Sequence, residues 1–182
     1  KYMMAENYCY FHYIRQWRQI IEQGELGEIF YAEGEYIHEI EHLLVDPATG
    51  QHYWRYTRAP IWYCGHTLGP LLTLMNDRIV KATGAQAGRH IHPQETVAFI
   101  DMEVGLFQTQ KGAVIKILRS QVARRYPDTI YYSLYGTKGF VEESVRRVCV
   151  RKQCQAASHR WLRNGAVRQR WAARAASRVL LP

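Results

Sequence analysis

Between residues 79 and 143 the chain carries five apolar, β-branched or aromatic segments in close succession, and this run limits its possible folds more than any other feature. The segments are "IVKATGAQA" (79–87), "TVAFIDMEV" (96–104), "AVIKILRSQV" (113–122), "IYYSLYG" (130–136) and "GFVEE" (139–143). The links "QTQKGA", "RRYPDT" and "GTKG" are rich in turn residues. Parallel neighbours need connections of a dozen or more residues, so the run predicts an antiparallel meander.

Upstream, "KYMMAENYCY" opens as a short apolar strand and ends in polar and aromatic residues. From His12 to Gln23, Ile14, Trp17, Ile20 and Ile21 recur at helical spacing, with Gly24 as the stop. "IFYAEGEYIHE" (29–39) reads as a strand, and "LGPLLTLM" (68–75) as a short helix with Pro70 in its first turn. Two helices followed by strands predict an α+β domain, an open, mostly antiparallel sheet with helices on one face. Residues 40–65 form a long aromatic loop holding Trp54, Arg55, Tyr56, Trp62 and Tyr63, a pattern more often functional than idle.

The net charge of +8 comes from one end of the chain. Residues 1–144 hold 14 Lys/Arg against 16 Asp/Glu, whereas residues 145–182 hold 10 Lys/Arg and no acid. A nucleic-acid argument therefore applies to the tail alone, and the tail reads as solvated, poorly ordered peptide or as an out-of-frame stretch. Four cysteines in a chain this long do not form a disulfide framework, so a reduced, cytoplasmic setting is expected. Cys149, Cys154 and His159 lack a fourth ligand, and no metal is assigned. No apolar run reaches the ~20 residues needed to span a bilayer.

The stretch "APIWYCGHTLGP" (59–70) raises the chemical question. His66 lies at or just before a helix start, where the helix dipole disfavours imidazolium and favours a neutral base. A buried structural histidine is the alternative. Tyr63, three residues earlier, and Tyr10 are phenols able to donate or accept a proton. Arg55 could fork onto hydroxyls or a carboxylate while Trp54 or Tyr56 offers an aromatic face for stacking. Asn7 lies at the end of the opening strand and His12 follows the same segment, where either could reach a cleft.

Taken in order, "ENYCYFHYIRQWRQIIEQGELGEIFYAEGEY", "APIWYCGHTLGPLL" and "YGTKGFVE" resemble three signatures of the Gfo/Idh/MocA oxidoreductases over residues 1 to about 143. The tail from Val145 has no counterpart in that pattern. The resemblance implies the C-terminal substrate domain: residues 1–10 as the end of a Rossmann domain and crossover, 11–144 as the α+β substrate domain, and 145–182 as the basic tail. It also implies NAD or NADP bound by an N-terminal domain, since no G-x-G-x-x-G occurs in this chain, and a chain that alone should not hold the cofactor productively. His66, Tyr63 and Tyr10 are then the implied catalytic residues. Arg55, Trp54, Asn7 and His12 are the implied substrate contacts, with Asn7 also contributing to the cofactor site. The implied partners are a sugar or polyol and further copies of the chain, through the open sheet face. Many resembling dehydrogenases carry an Asp four residues before the histidine; this chain has Trp62 there. The branch also resembles NAD-dependent glycosidases, so dehydrogenase, glycosidase and non-catalytic oligomerisation module stand as alternatives.

Overall fold

A computed structural model describes residues 2–3, 6–143 and 148–150. Most of the basic tail lies outside the described residues, as do Cys154 and His159, and the Cys149 side chain is not described. The architecture is α+β. Helix α1 (His12–Glu22) is followed by strand β1 (Ile29–Ile37), a long loop, helix α2 (Gly65–Met75), and strands β2 (Ile79–Gln86), β3 (Glu103–Thr109), β4 (Val114–Ser120), β5 (Thr129–Gly136) and β6 (Gly139–Glu142). A three-residue strand, Val148–Val150, ends the described chain.

The sheet is mostly antiparallel but is not a simple meander. Up to residue 143 its order is β2-β3-β4-β1-β5-β6, so β1 is inserted between β4 and β5. β1 runs parallel to β4, with Tyr31 opposite Val114 and Tyr36 opposite Arg119. It runs antiparallel to β5, with Tyr36 opposite Ile130. Short links dictate antiparallel pairing only between consecutive strands. The long excursion from residue 38 to 113 supplies the crossover that parallel pairing needs.

Three further expectations are corrected. Val97–Phe99 is a 3₁₀ turn rather than part of a strand, because Ala98 and Phe99 are buried with Leu44 and Val122 in a small cluster of their own. β3 accordingly starts at Glu103. Asn7–Tyr10 is also a 3₁₀ turn, while Tyr2 and Met3, at the described start of the expected opening strand, are exposed and in no regular element. Helix α2 begins at Gly65, which places Pro70 inside it and His66 in its first turn.

Alternation along β1 sets the two faces. Ala32 and Gly34 are buried against the helices, while Tyr31, Glu33 and Glu35 stay partly exposed on the open face, where Lys116 Nζ lies 3.1 Å from Glu33. The main core joins Ile14 and Trp17 of α1, Leu68, Leu71 and Leu74 of α2, and Ile115, Ile117, Tyr132 and Leu134 of the sheet. At Gly34 the helix lies almost on the strand: a Cβ there would sit 3.0 Å from the Thr67 carbonyl oxygen and 3.3 Å from Leu71 Cδ1. A side chain at 34 would lift the first turns of α2, and His66 with them.

One buried acid sets a pH dependence. Glu143 has a buried Oε2 without a hydrogen-bond partner among the described residues. Burial pushes its carboxyl up to about 7, with the Tyr13 hydroxyl pulling the other way. The folded chain holds this proton after the unfolded chain has lost it, so stability should fall as pH rises from about 4.5 to about 7. The loss is expected to reach ~1–2 kcal/mol, allowing for solvent screening. Urea unfolding at several pH values should show this slope, and Glu143→Gln should flatten it. An equal slope in both proteins would reject the assignment.

Candidate active site

The candidate site lies where α2 begins, over the C-terminal ends of β1 and β4. His66 is held from three sides. Its ring stacks on Tyr8 (centroids 4.0 Å apart, 11° between planes) and meets the edge of Tyr63 at 4.9 Å. Its Nδ1 is 2.6 Å from Glu6 Oε1. Since the carboxylate is the acceptor, Nδ1 carries the hydrogen, and Nε2 is the ring nitrogen that Glu6 leaves free of this contact.

The helix backbone is fixed at the same residue. Pro70 has no N–H to give the carbonyl four residues before it, which is that of His66. The Tyr132 hydroxyl, from the fully buried Tyr132 on β5, donates to that carbonyl instead. Tyr132→Phe should therefore leave a buried acceptor unpaired and cost about 1–3 kcal/mol in denaturant unfolding. Pro70→Ala restores an N–H, so Tyr132→Phe should cost measurably less in that background. Equal costs in the two backgrounds would refute the link.

Parallel pairing of β1 and β4 brings the second layer together. Tyr36 and Arg119 are register partners, and Glu103 pairs with Arg119 from β3. The Arg119 guanidinium is fully buried, 4.9 Å over the Tyr36 ring and 5.8 Å over Tyr63, and its Nε donates to Pro60 O at 3.2 Å. Burial raises the Glu103 carboxyl, against the Ile61 N–H it accepts and the Arg119 charge. His38 stacks on Tyr36 at 4.0 Å. Burial, then Arg119, His66 and Arg55, lower its imidazole to about 4, so it is neutral at pH 7. The Tyr8 hydroxyl donates to Tyr36 Oη at 3.2 Å. Burial, then that bond, pushes the Tyr8 phenol well above its ordinary range.

The aromatic loop forms an exposed shelf beside this cluster. Trp54 (52% exposed) packs edge-on against both Trp62 (59%) and Tyr63, and Arg55 lies 4.3 Å over Trp54 and 5.7 Å over Tyr63. Of the sequence candidates, the structure thus gathers His66, Tyr63, Arg55 and Trp54. Tyr10 is 69% exposed and lies two residues past the tyrosine that stacks on His66, which is Tyr8. Asn7 is exposed in the same turn, and His12 is the exposed first residue of α1, edge-on to Tyr13. Glu6, Tyr8, Tyr36, His38 and Arg119 were not among the candidates. Tyr36 has the same parity as the buried Ala32 and Gly34, and His38 follows two residues on, just past the strand; that period of two was the signal available. Among the described residues, no group of three or more His, Cys, Asp or Glu is placed to hold a metal ion.

Comparison with known proteins gives the family and the fold. The family model for the GFO/IDH/MocA C-terminal domain matches residues 14–142. A glycosyl hydrolase family 109 protein 2 of Phocaeicola vulgatus is 30% identical over 168 residues, covering 78% of this chain and 40% of that protein. An α-N-acetylgalactosaminidase of Bacteroides fragilis is also 30% identical, covering 78% and 39%. The chain thus spans about two fifths of the length of the curated relatives it matches. Among solved structures, an aldose-aldose oxidoreductase from Caulobacter crescentus complexed with glycerol shares the fold at a TM-score of 0.61. The two are 16% identical, and the match covers 78% of this chain and 40% of that one. An inositol dehydrogenase homolog from Azotobacter vinelandii, complexed with NADH and myo-inositol, matches at 0.59 with 20% identity, covering 76% and 35%.

Proposed function

Because the chain belongs to the GFO/IDH/MocA C-terminal domain family, we propose that it is the substrate-binding, acid/base half of an NAD(P)-dependent enzyme acting on a sugar or polyol. The observation that carries this reading is His66, held by Glu6 and Tyr8 with Nε2 left for a substrate, beside an exposed aromatic shelf. The described residues include no glycine-rich turn from a strand into a helix; "GAQAG" lies along and just past the exposed edge strand β2. On this reading the dinucleotide is bound by a companion domain, where it would supply the hydride acceptor. This chain's part is the proton. His66 Nε2 takes it from the hydroxyl on the carbon being oxidised, and the Glu6 carboxylate stabilises the imidazolium that forms. Trp54 and Trp62 offer faces on which a pyranose ring stacks, with the Arg55 guanidinium alongside. Tyr10, Asn7 and His12 are exposed in and just after the turn that carries Tyr8, and this reading assigns them to substrate or cofactor contact.

A glycosidase of the same chemistry is the second reading, favoured by the phenols that crowd His66 and by the names of the relatives at 30% identity. Both begin with the same proton removal and differ in the later steps. The parent enzyme, given NAD and a nitrophenyl glycoside, releases chromophore without net NADH if it is the glycosidase. NADH accumulating with a free sugar, and no chromophore released, identifies the dehydrogenase. If neither signal appears across a panel of sugars, the catalytic reading fails and a non-catalytic module that associates through the open face of the sheet takes its place.

A further inference from the structure

Position 62, one helical turn before His66, holds an exposed tryptophan rather than an acid. The histidine nonetheless has a carboxylate, and it comes from a different part of the chain. Glu6 lies 60 residues earlier in sequence, just before the 3₁₀ turn Asn7–Tyr10. Its Oε1 accepts from the Tyr8 backbone N–H at 3.1 Å and lies 2.6 Å from His66 Nδ1. The first of these bonds is local, so the carboxylate is aimed before α2 docks against it. The first turn of α2, at the positive end of the helix dipole, is a favourable place for that charge.

The helix is also shaped to receive Glu6. Gly65 and Gly69 are one helical turn apart, on one face of α2. A Cβ at Gly69 would sit 2.9 Å from Glu6 Cγ and 3.5 Å from Cys9 Sγ, and one at Gly65 would sit 3.1 Å from Glu6 Oε2. Contacts below 3.0 Å force something to move, and here the movable part is the Glu6 side chain. Glycine is costly inside a helix, about 1 kcal/mol relative to alanine, so the pair needs a reason, and the room left for Glu6 supplies one.

We propose that Glu6 is the positioning residue of His66, standing in for an acid at position 62, and that Gly65 and Gly69 form the seat that holds it. The proposal rests on the acid/base reading for its purpose, but not for its test. Glu6 fixes the rotation of the imidazole about its Cβ–Cγ bond, and Tyr8 fixes its tilt. Together they hold the tautomer with hydrogen on Nδ1, opposite to the preference of an unconstrained histidine for hydrogen on Nε2.

The test reads that tautomer directly, without substrate or cofactor. In the full chain labelled with ¹⁵N-histidine, long-range ¹H–¹⁵N spectra distinguish the two forms, and His66→Gln assigns the signals. The wild type should show hydrogen on Nδ1. Glu6→Ala should shift the tautomer ratio about tenfold or more toward Nε2–H, the size expected for losing a charge-assisted hydrogen bond. Gly69→Ala should move it the same way while favouring the helix. Glu6→Gln, whose amide oxygen still accepts, should keep the wild-type form. Should Glu6→Ala disturb the other histidine signals as well, the Gly69→Ala result decides. An Nε2–H wild type, or a Gly69→Ala spectrum identical to it, overturns the proposal. Failure of the catalytic reading would leave these spectra as expected, so the two failures are separable.

Discussion

Replacing His66 by alanine in the full-length protein, assayed with NAD(P), should on the proposed reading lower kcat by about 10²–10⁴-fold and leave KM within a few-fold, the range typical for a lost general acid/base. The split follows from the division of labour at the site. On the proposed reading the sugar rests on Trp54, Trp62 and Arg55, whereas proton removal falls to His66, whose Nδ1 is backed by the Glu6 carboxylate. Its neighbours are poor substitutes. The Tyr8 hydroxyl is committed to Tyr36, and burial keeps it protonated. His38 is a neutral imidazole, but it is buried, with Tyr36 between it and the His66 ring. Steady-state kinetics on a variant with a wild-type unfolding midpoint is the measurement. A loss under threefold would remove His66 from the chemistry.

The second large effect is on stability. Leu71→Ala should cost about 2–5 kcal/mol, lowering the urea midpoint by about 1–2 M. Leu71 is fully buried and lies over Gly34, where helix and strand touch without an intervening side chain. That contact leaves little room for collapse, so the deleted methyls leave a cavity. The Leu71 site is one turn beyond Thr67, whose carbonyl defines the approach, and a loosened helix would also free His66 from its partners. Leu43→Ala serves as the control: Leu43 is 38% exposed, and its truncation should cost well under 1 kcal/mol. Equal losses at both positions would show that α2 is not clamped at Gly34.

What the sequence disclosed depended on range. The helices, most of the strands and the pairing of Tyr63 with His66 are local, and periodicity or a short motif carries them. Glu6 was in plain view beside Asn7, yet its role depends on α2 lying against residues 6–10, which no spacing encodes. Arg119 read as one more strand residue until β1 and β4 proved parallel, because only that register sets it opposite Tyr36. Pro70 misled in an instructive way. A proline suits a first turn, and the cost of placing it deeper was hidden because Tyr132, far along the chain, meets the carbonyl that it strands. The turn at 97–99 had strand-like composition and was decided by burial in a satellite cluster.

The placement of β1 also has a consequence for synthesis. As the chain leaves the ribosome from its N-terminal end, β1 appears before either of the strands that flank it, since Tyr31 pairs with Val114 on one side and Tyr135 on the other. Roughly eighty residues must emerge before its first edge is covered, about 4–16 s at ordinary elongation rates. Throughout that interval a nine-residue strand exposes both rows of backbone donors and acceptors, the usual template for unwanted pairing between nascent chains. Its alternating Glu33 and Glu35 give copies of this strand a shared negative charge, and so a mutual repulsion, until Lys116 arrives on β4 to offset part of it.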